Sequence, residues 1–179
     1  MLRLIFILFL STTVSVSAQE DSFQKQLEHY LTINGTHNQY SGAFDQMFDV
    51  IKQNYGADQV PEKVWKELQT GKDKAVNDVI MMLTSVYRKH YTPEDIEQLL
   101  TFFQTDTGKQ LAVGPDTLNE AQRKALGEFY ETPVGMKVSQ TQEAIGKDIM
   151  QVSEYWSRDL YLATLTSLKD KGYKPNHDH

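Results

Sequence analysis

The sequence predicts an all-α fold: a single-domain helical bundle of about seven helices, with a duplicated short helical hairpin feeding a long C-terminal helix. Three observations predict it. Apolar residues recur at helical spacing along the whole chain, and no segment alternates with period two. Helix-start signals such as Thr92-Pro93-Glu94-Asp95 and Asn119-Glu120-Ala121-Gln122 stand directly ahead of apolar stripes. The stretch Phe129-Tyr130-Glu131-Thr132-Pro133-Val134-Gly135-Met136-Lys137 also has a weaker copy 27 residues earlier, at Phe102-Phe103-Gln104-Thr105-Asp106-Thr107-Gly108-Lys109.

The chain opens on a targeting signal over residues 1–18. Arg3 supplies a positive start, Leu4 to Leu10 an apolar run, and Val16-Ser17-Ala18 small residues suited to cleavage before Gln19. The apolar run is too short for a bilayer core of ~30 Å, and no later stretch reaches ~20 apolar residues. The expectation is a chain exported to the periplasm or secreted, not spanning a membrane. Residues 19–172 are then expected to form one domain, with residues 173–179 a polar tail.

Within that domain, Phe23, Leu27, Tyr30 and Leu31 mark a first helix that Asn34-Gly35 ends. Asn34-Gly35-Thr36 also has the form of a glycosylation acceptor. Phe44, Met47, Phe48, Ile51 and Tyr55 give a second helix closed by Gly56. Pro61 opens a short third one, with Val64, Trp65 and Leu68 on its apolar side and Gly71 after it. Val76, Val79, Ile80, Leu83, Val86 and Tyr87 form the cleanest stripe; Met81 and Met82 widen it, which places this helix centrally.

The two repeated units follow. Ile96, Leu99, Leu100 and Phe103 are the buried face of the first, and Leu126, Phe129 and Tyr130 that of the second. Val138, Ile145, Ile149, Val152, Trp156 and Leu160 run along one side of the long last helix. Tyr155, Leu162, Leu165 and Leu168 broaden that face, Gly146 is a weak point, and Gly172 and Pro175 stop the helix.

Composition narrows the chemistry. With no cysteine, disulfides, thiolate catalysis and Cys-ligated zinc are excluded. The balance of 18 Lys+Arg against 24 Asp+Glu is acidic and holds no basic cluster longer than Arg88-Lys89-His90, so no nucleic-acid partner is expected.

The repeated motif reads as a corner. Thr132 is a good N-cap, Pro133 at the first helical position sacrifices no hydrogen bond, and the residue before a proline is pushed out of helix. Gly135 then lets the preceding helix, or the rings of Phe129 and Tyr130, come close, and the expectation is a corner with aromatics packed into the notch left by glycine. Phe102, Phe103, Thr105 and Gly108 repeat the arrangement. The functional alternative is anion capture at the helix start by Gly135 and Lys137. A single glycine argues for the corner, because phosphate-binding loops carry several.

At these residues the chain resembles a known family. Val86-Tyr87-Arg88-Lys89-His90-Tyr91-Thr92-Pro93-Glu94-Asp95, followed by an aromatic pair, Thr and Gly-Lys, is similar to the exported bacterial family catalogued as domain of unknown function 2059. Its hallmark is an aromatic pair, a polar residue, Ser/Thr-Pro, any residue, Gly, any residue, Lys. Phe129 to Lys137 matches every element, whereas the first copy has Asp106 in place of proline. The resemblance covers residues 75–150; Met47-Phe48 and Trp156-Ser157-Arg158-Asp159-Leu160-Tyr161 are similar to the same group. It implies an all-helical exported bacterial protein, and neither an activity nor catalytic residues.

Other constellations are thin. No two of His29, His37 and His90 stand at metal-ligand spacing. His90 reads as a helix-end histidine, and a metal-assisted hydrolase using His90 and Glu94 is the least favoured reading. The tail pair His177 and His179 reads as solvated. Glu94/Glu97 and Glu128/Glu131 lie off the apolar stripes, and Arg158 and Asp159 read as surface charges. Phe44, Met47, Phe48, Met81, Met82, Phe102, Phe103, Trp156 and Tyr161 read first as core, and second as the lining of a pocket for an apolar ligand. The expected function is therefore a non-enzymatic module without cofactors or metal, acting through an unknown protein partner or in envelope maintenance. The alternative is a carrier of an apolar small molecule or lipid.

Overall fold

The computed structural model describes residues 14–56 and 59–176, with side chains from Ser22 onward. The leader's Arg3 and Leu4–Leu10 and the tail's His177 and His179 lie outside the described residues. Among the described residues, eight α-helices and one 3-10 turn follow one another: α1 (Val14–Ile33), α2 (Thr36–Tyr55), α3 (Glu62–Gln69), α4 (Lys72–Arg88), α5 (Pro93–Gln104), α6 (Asp106–Val113), the turn Pro115–Thr117, α7 (Glu120–Tyr130) and α8 (Pro133–Asp170). No strand occurs among the described residues. The expected cleavage before Gln19 falls inside α1. No described helix is long and apolar enough to cross a membrane.

The helices end where the sequence gives them reasons to. Gly35 takes a left-handed φ of 90° between α1 and α2, and a Cβ there would stand 2.5 Å from the Ala112 carbonyl oxygen. Thr92 and Asp95 form a capping box at the start of α5, as Asn119 and Gln122 do for α7. Gly172, at φ 89°, closes α8, and the Tyr173 N–H reaches back to the Leu168 carbonyl.

These helices pack into one bundle around a shared core. α1 lies against α2, α4 and α5, while α4 is sandwiched between α2 and α8. Leu27, Leu31, Phe44, Phe48, Val79 and Leu83 are fully enclosed, each on the stripe that predicted its helix. Burying each such side chain is worth ~1.5–3 kcal/mol, so this cluster carries the fold.

Several expectations need correcting. Met81 is 50% exposed and does not widen the buried face of α4. Tyr155 and Leu162 are each 52% exposed, because α8 is covered along one side only; of the four residues expected to broaden that face, Leu168 is fully buried. α7 buries no residue completely and lies at the periphery. α8 runs unbroken for 38 residues through Gly146, which has no neighbour close enough to need a glycine.

Candidate functional site

The repeated motif forms two corners with the same hydrogen bonds. At the first, the Thr105 N–H donates to the Phe102 carbonyl at 3.0 Å, and the Thr105 hydroxyl donates to it at 2.7 Å. The same hydroxyl accepts from the Gly108 N–H at 3.1 Å. At the second, Thr132 makes all three bonds, to the Phe129 carbonyl and from the Gly135 N–H, at those same distances. One threonine thus satisfies the end of one helix and the start of the next.

The glycines have an equally specific cause. A Cβ on Gly108 would fall onto the Phe102 carbonyl oxygen and stand 2.5 Å from the Phe103 Cα. On Gly135 it would fall onto the Phe129 carbonyl oxygen and stand 2.7 Å from the Tyr130 Cα. Backbone, not aromatic rings, fills the glycine notch, which corrects the expectation of rings packed into it. The rings instead join the two corners: Phe102 and Phe129 stack at 4.0 Å, and Phe103 meets Tyr30 edge-on at 5.7 Å. Pro133 and Asp106 occupy the same first helical position. Neither needs a hydrogen-bonded N–H there, and an acid suits the positive end of a helix.

Lys137 closes the motif onto the preceding unit. Its ammonium donates to the Asp95 carboxylate, which also accepts from the Thr92 N–H at 2.8 Å in the α5 capping box. Burial pushes the Asp95 carboxyl up, but the bonds from Lys137 and Thr92 outweigh it and hold the group below the ordinary value of 3.8. At the candidate anion site of Gly135 and Lys137, the Gly135 N–H is taken by Thr132 and the Lys137 charge by Asp95.

The remaining candidates do not converge. Glu94, Glu97, Glu128 and Glu131 are exposed. His90 lies just beyond α4, with its N–H on the Tyr87 carbonyl at 3.0 Å. Arg158 and Asp159 pair at 3.5 Å on the surface. Among the described residues, no group of three or more His, Asp or Glu is arranged to hold a metal ion.

A cleft does occur, between α2, α4 and α8. It has a volume of about 650 Å³ and apolar walls formed by Ala43, Leu83, Ile149, Met150 and Trp156. Its polar groups come from Tyr40, Tyr87, Ser153 and Glu154, together with Thr36, Gln39 and Ser157. The Tyr40 and Ser153 hydroxyls are bonded at 2.5 Å, and the Tyr40 ring meets Trp156 edge-on at 5.2 Å. Of the aromatic and methionine residues proposed as a pocket lining, Trp156 alone lines this cleft. Phe44 and Phe48 are enclosed in the core, Phe102 and Phe103 belong to the corners, and Tyr161 borders a smaller recess beside Asn176.

Sequence reasoning missed Tyr40 and Ser153. The signal available for Tyr87 was a phenol on an otherwise apolar helix face, since such a hydroxyl needs either a partner or an opening.

A family described as an uncharacterized protein conserved in bacteria (DUF2059) matches residues 77–113 and 116–161, which include α5 to α7 and both corners. No curated protein and no solved structure matches the chain.

Proposed function

We propose that this chain, which carries the domain of that bacterial family from residue 77 to residue 161, is a non-enzymatic helical module that binds an apolar small molecule. The observation that carries the reading is the cleft between α2, α4 and α8, with its volume of about 650 Å³ and its mainly apolar walls. Small-molecule sites are typically ~300–1,000 Å³ and combine apolar walls with a few placed polar groups. The leader at residues 1–18 supports export, so a role in the cell envelope or outside the cell fits the same reading.

The test is native mass spectrometry of the chain from Gln19, expressed with its own leader and isolated without organic solvent. Extra mass that leaves with organic solvent supports the reading. A bare chain that also fails to bind any alkyl probe contradicts it.

A second reading, contact with a partner protein, is favoured by one feature. Tyr155 and Leu162 are each 52% exposed and stand seven residues apart on α8, so one face of that helix offers two large apolar side chains. Crosslinking that captures a partner through this face, and fails in Tyr155→Ser/Leu162→Ser, supports it.

A further inference from the structure

We propose that the cleft selects a ligand whose head group is uncharged and carries both a hydrogen-bond donor and an acceptor, a primary amide or an alcohol on an apolar chain, held by the Tyr40 and Tyr87 hydroxyls. This rests on the reading of the cleft as an apolar binding site.

The placement of protons gives the argument. The Ser153 hydroxyl lies 2.8 Å from the Ile149 carbonyl oxygen, which can only accept, so the serine proton points there. Tyr40, 2.5 Å from the same serine oxygen, is then the donor of that pair. The Tyr40 oxygen, on a side chain that lines the cleft, keeps lone pairs that can accept. The Tyr87 hydroxyl has no hydrogen-bond partner among the described residues, and no described side-chain polar atom is sealed away without one. Its ring is fixed from two sides, by Tyr30 edge-on at 5.6 Å and by Tyr91 stacked at 6.0 Å. Burial pushes the Tyr87 and Tyr40 hydroxyls up from the ordinary tyrosine value, so both stay neutral near pH 7. At the two tyrosines the cleft thus offers the Tyr87 proton as donor and the Tyr40 oxygen as acceptor, and the other hydroxyl and amide groups of its lining, on Thr36, Gln39 and Ser157, are uncharged as well.

Charge narrows the head group further. Among the described residues, no Lys, Arg or His lines the cleft, so a buried carboxylate or phosphate would have no counter-ion there. Among the described residues, Glu154 is the one charged residue of the lining, and it is exposed. A cationic head meeting it in water gains little, because solvent screens the pair. A neutral head that both gives and takes one hydrogen bond is the chemistry the site completes.

The test is calorimetric titration of the chain from Gln19 at neutral pH. The ligands are dodecanamide, dodecanol, dodecanoate and dodecyltrimethylammonium, each below its micelle concentration. The amide and the alcohol are expected to bind one per chain, with dodecanoate at least about tenfold weaker. Tyr87→Phe is expected to weaken dodecanamide about tenfold and to leave dodecyltrimethylammonium, which cannot hydrogen-bond, unchanged. Should that variant fold poorly, Tyr40→Phe is read for the same selective loss.

Equal affinity for all four ligands, tightest binding of dodecanoate, or undiminished amide binding by a folded variant overturns the head-group assignment and leaves the apolar cleft standing. Saturable binding of none of the four overturns both.

Discussion

The rings of Phe102 and Phe129 stack with their centroids 4.0 Å apart and their planes 21° from parallel. Each is the residue whose carbonyl receives the corner threonine, so the stack joins equivalent points of the two repeated units. A double-mutant cycle with Phe102→Leu and Phe129→Leu should give a coupling of about 0.5–1.5 kcal/mol in denaturant unfolding. Strict additivity would show that the corners stand independently.

Glycine at the corners answers to backbone. Gly135→Ala sets a Cβ against the Phe129 carbonyl and Gly108→Ala does so against Phe102. Each should destabilise by about 2–3 kcal/mol, or roughly 5–10 °C in Tm for a chain of this size. Gly146→Ala is the control: the site is open and φ is not positive. It should stabilise by about 0.5–1 kcal/mol.

The corner threonines act through one oxygen that both gives and takes. Thr132→Val keeps the shape but removes the hydroxyl, and should cost about 1–2 kcal/mol in thermal or chemical unfolding. Thr132→Ser keeps both bonds and should lie much closer to the parent protein.

Acid should loosen the link between the capping box and the second corner. The folded-state value of Asp95 is held below 3.8 by Lys137 and Thr92. Its contribution is therefore complete above the ordinary Asp value and is lost as pH falls from there through the depressed one. Lys137→Met should shrink this acid-side loss and cost about 1–3 kcal/mol near pH 7. Unfolding curves between neutral pH and about pH 2 read both effects.

Much of this fold is legible in the sequence because local rules wrote it. The capping boxes at Thr92 and Asn119 and the stripe Val76, Val79, Leu83 follow from spacing alone. Spacing also placed Met81 beside buried neighbours, but the partners of α4 cover less of its circumference than the apolar residues do. The corner glycines were legible as close approaches, yet which atoms approach depends on how sharply the chain turns. The pairing of Lys137 with Asp95 spans 42 residues, and the cleft is shared by three helices that are not consecutive. No pattern within one helix reports either. Tyr40 stands one turn before Phe44 on the same buried stripe, so its place was legible from spacing, but the meeting of its hydroxyl with Ser153 of α8 was not.

The most direct measurement is titration of the neutral probe N-phenylnaphthylamine into the chain from Gln19 and into Ala43→Trp, which fills the cleft from the α2 wall. The account predicts saturable one-to-one binding by the parent protein and its loss in a variant that still unfolds cooperatively. Equal binding by both chains, or none by the parent protein, would contradict it.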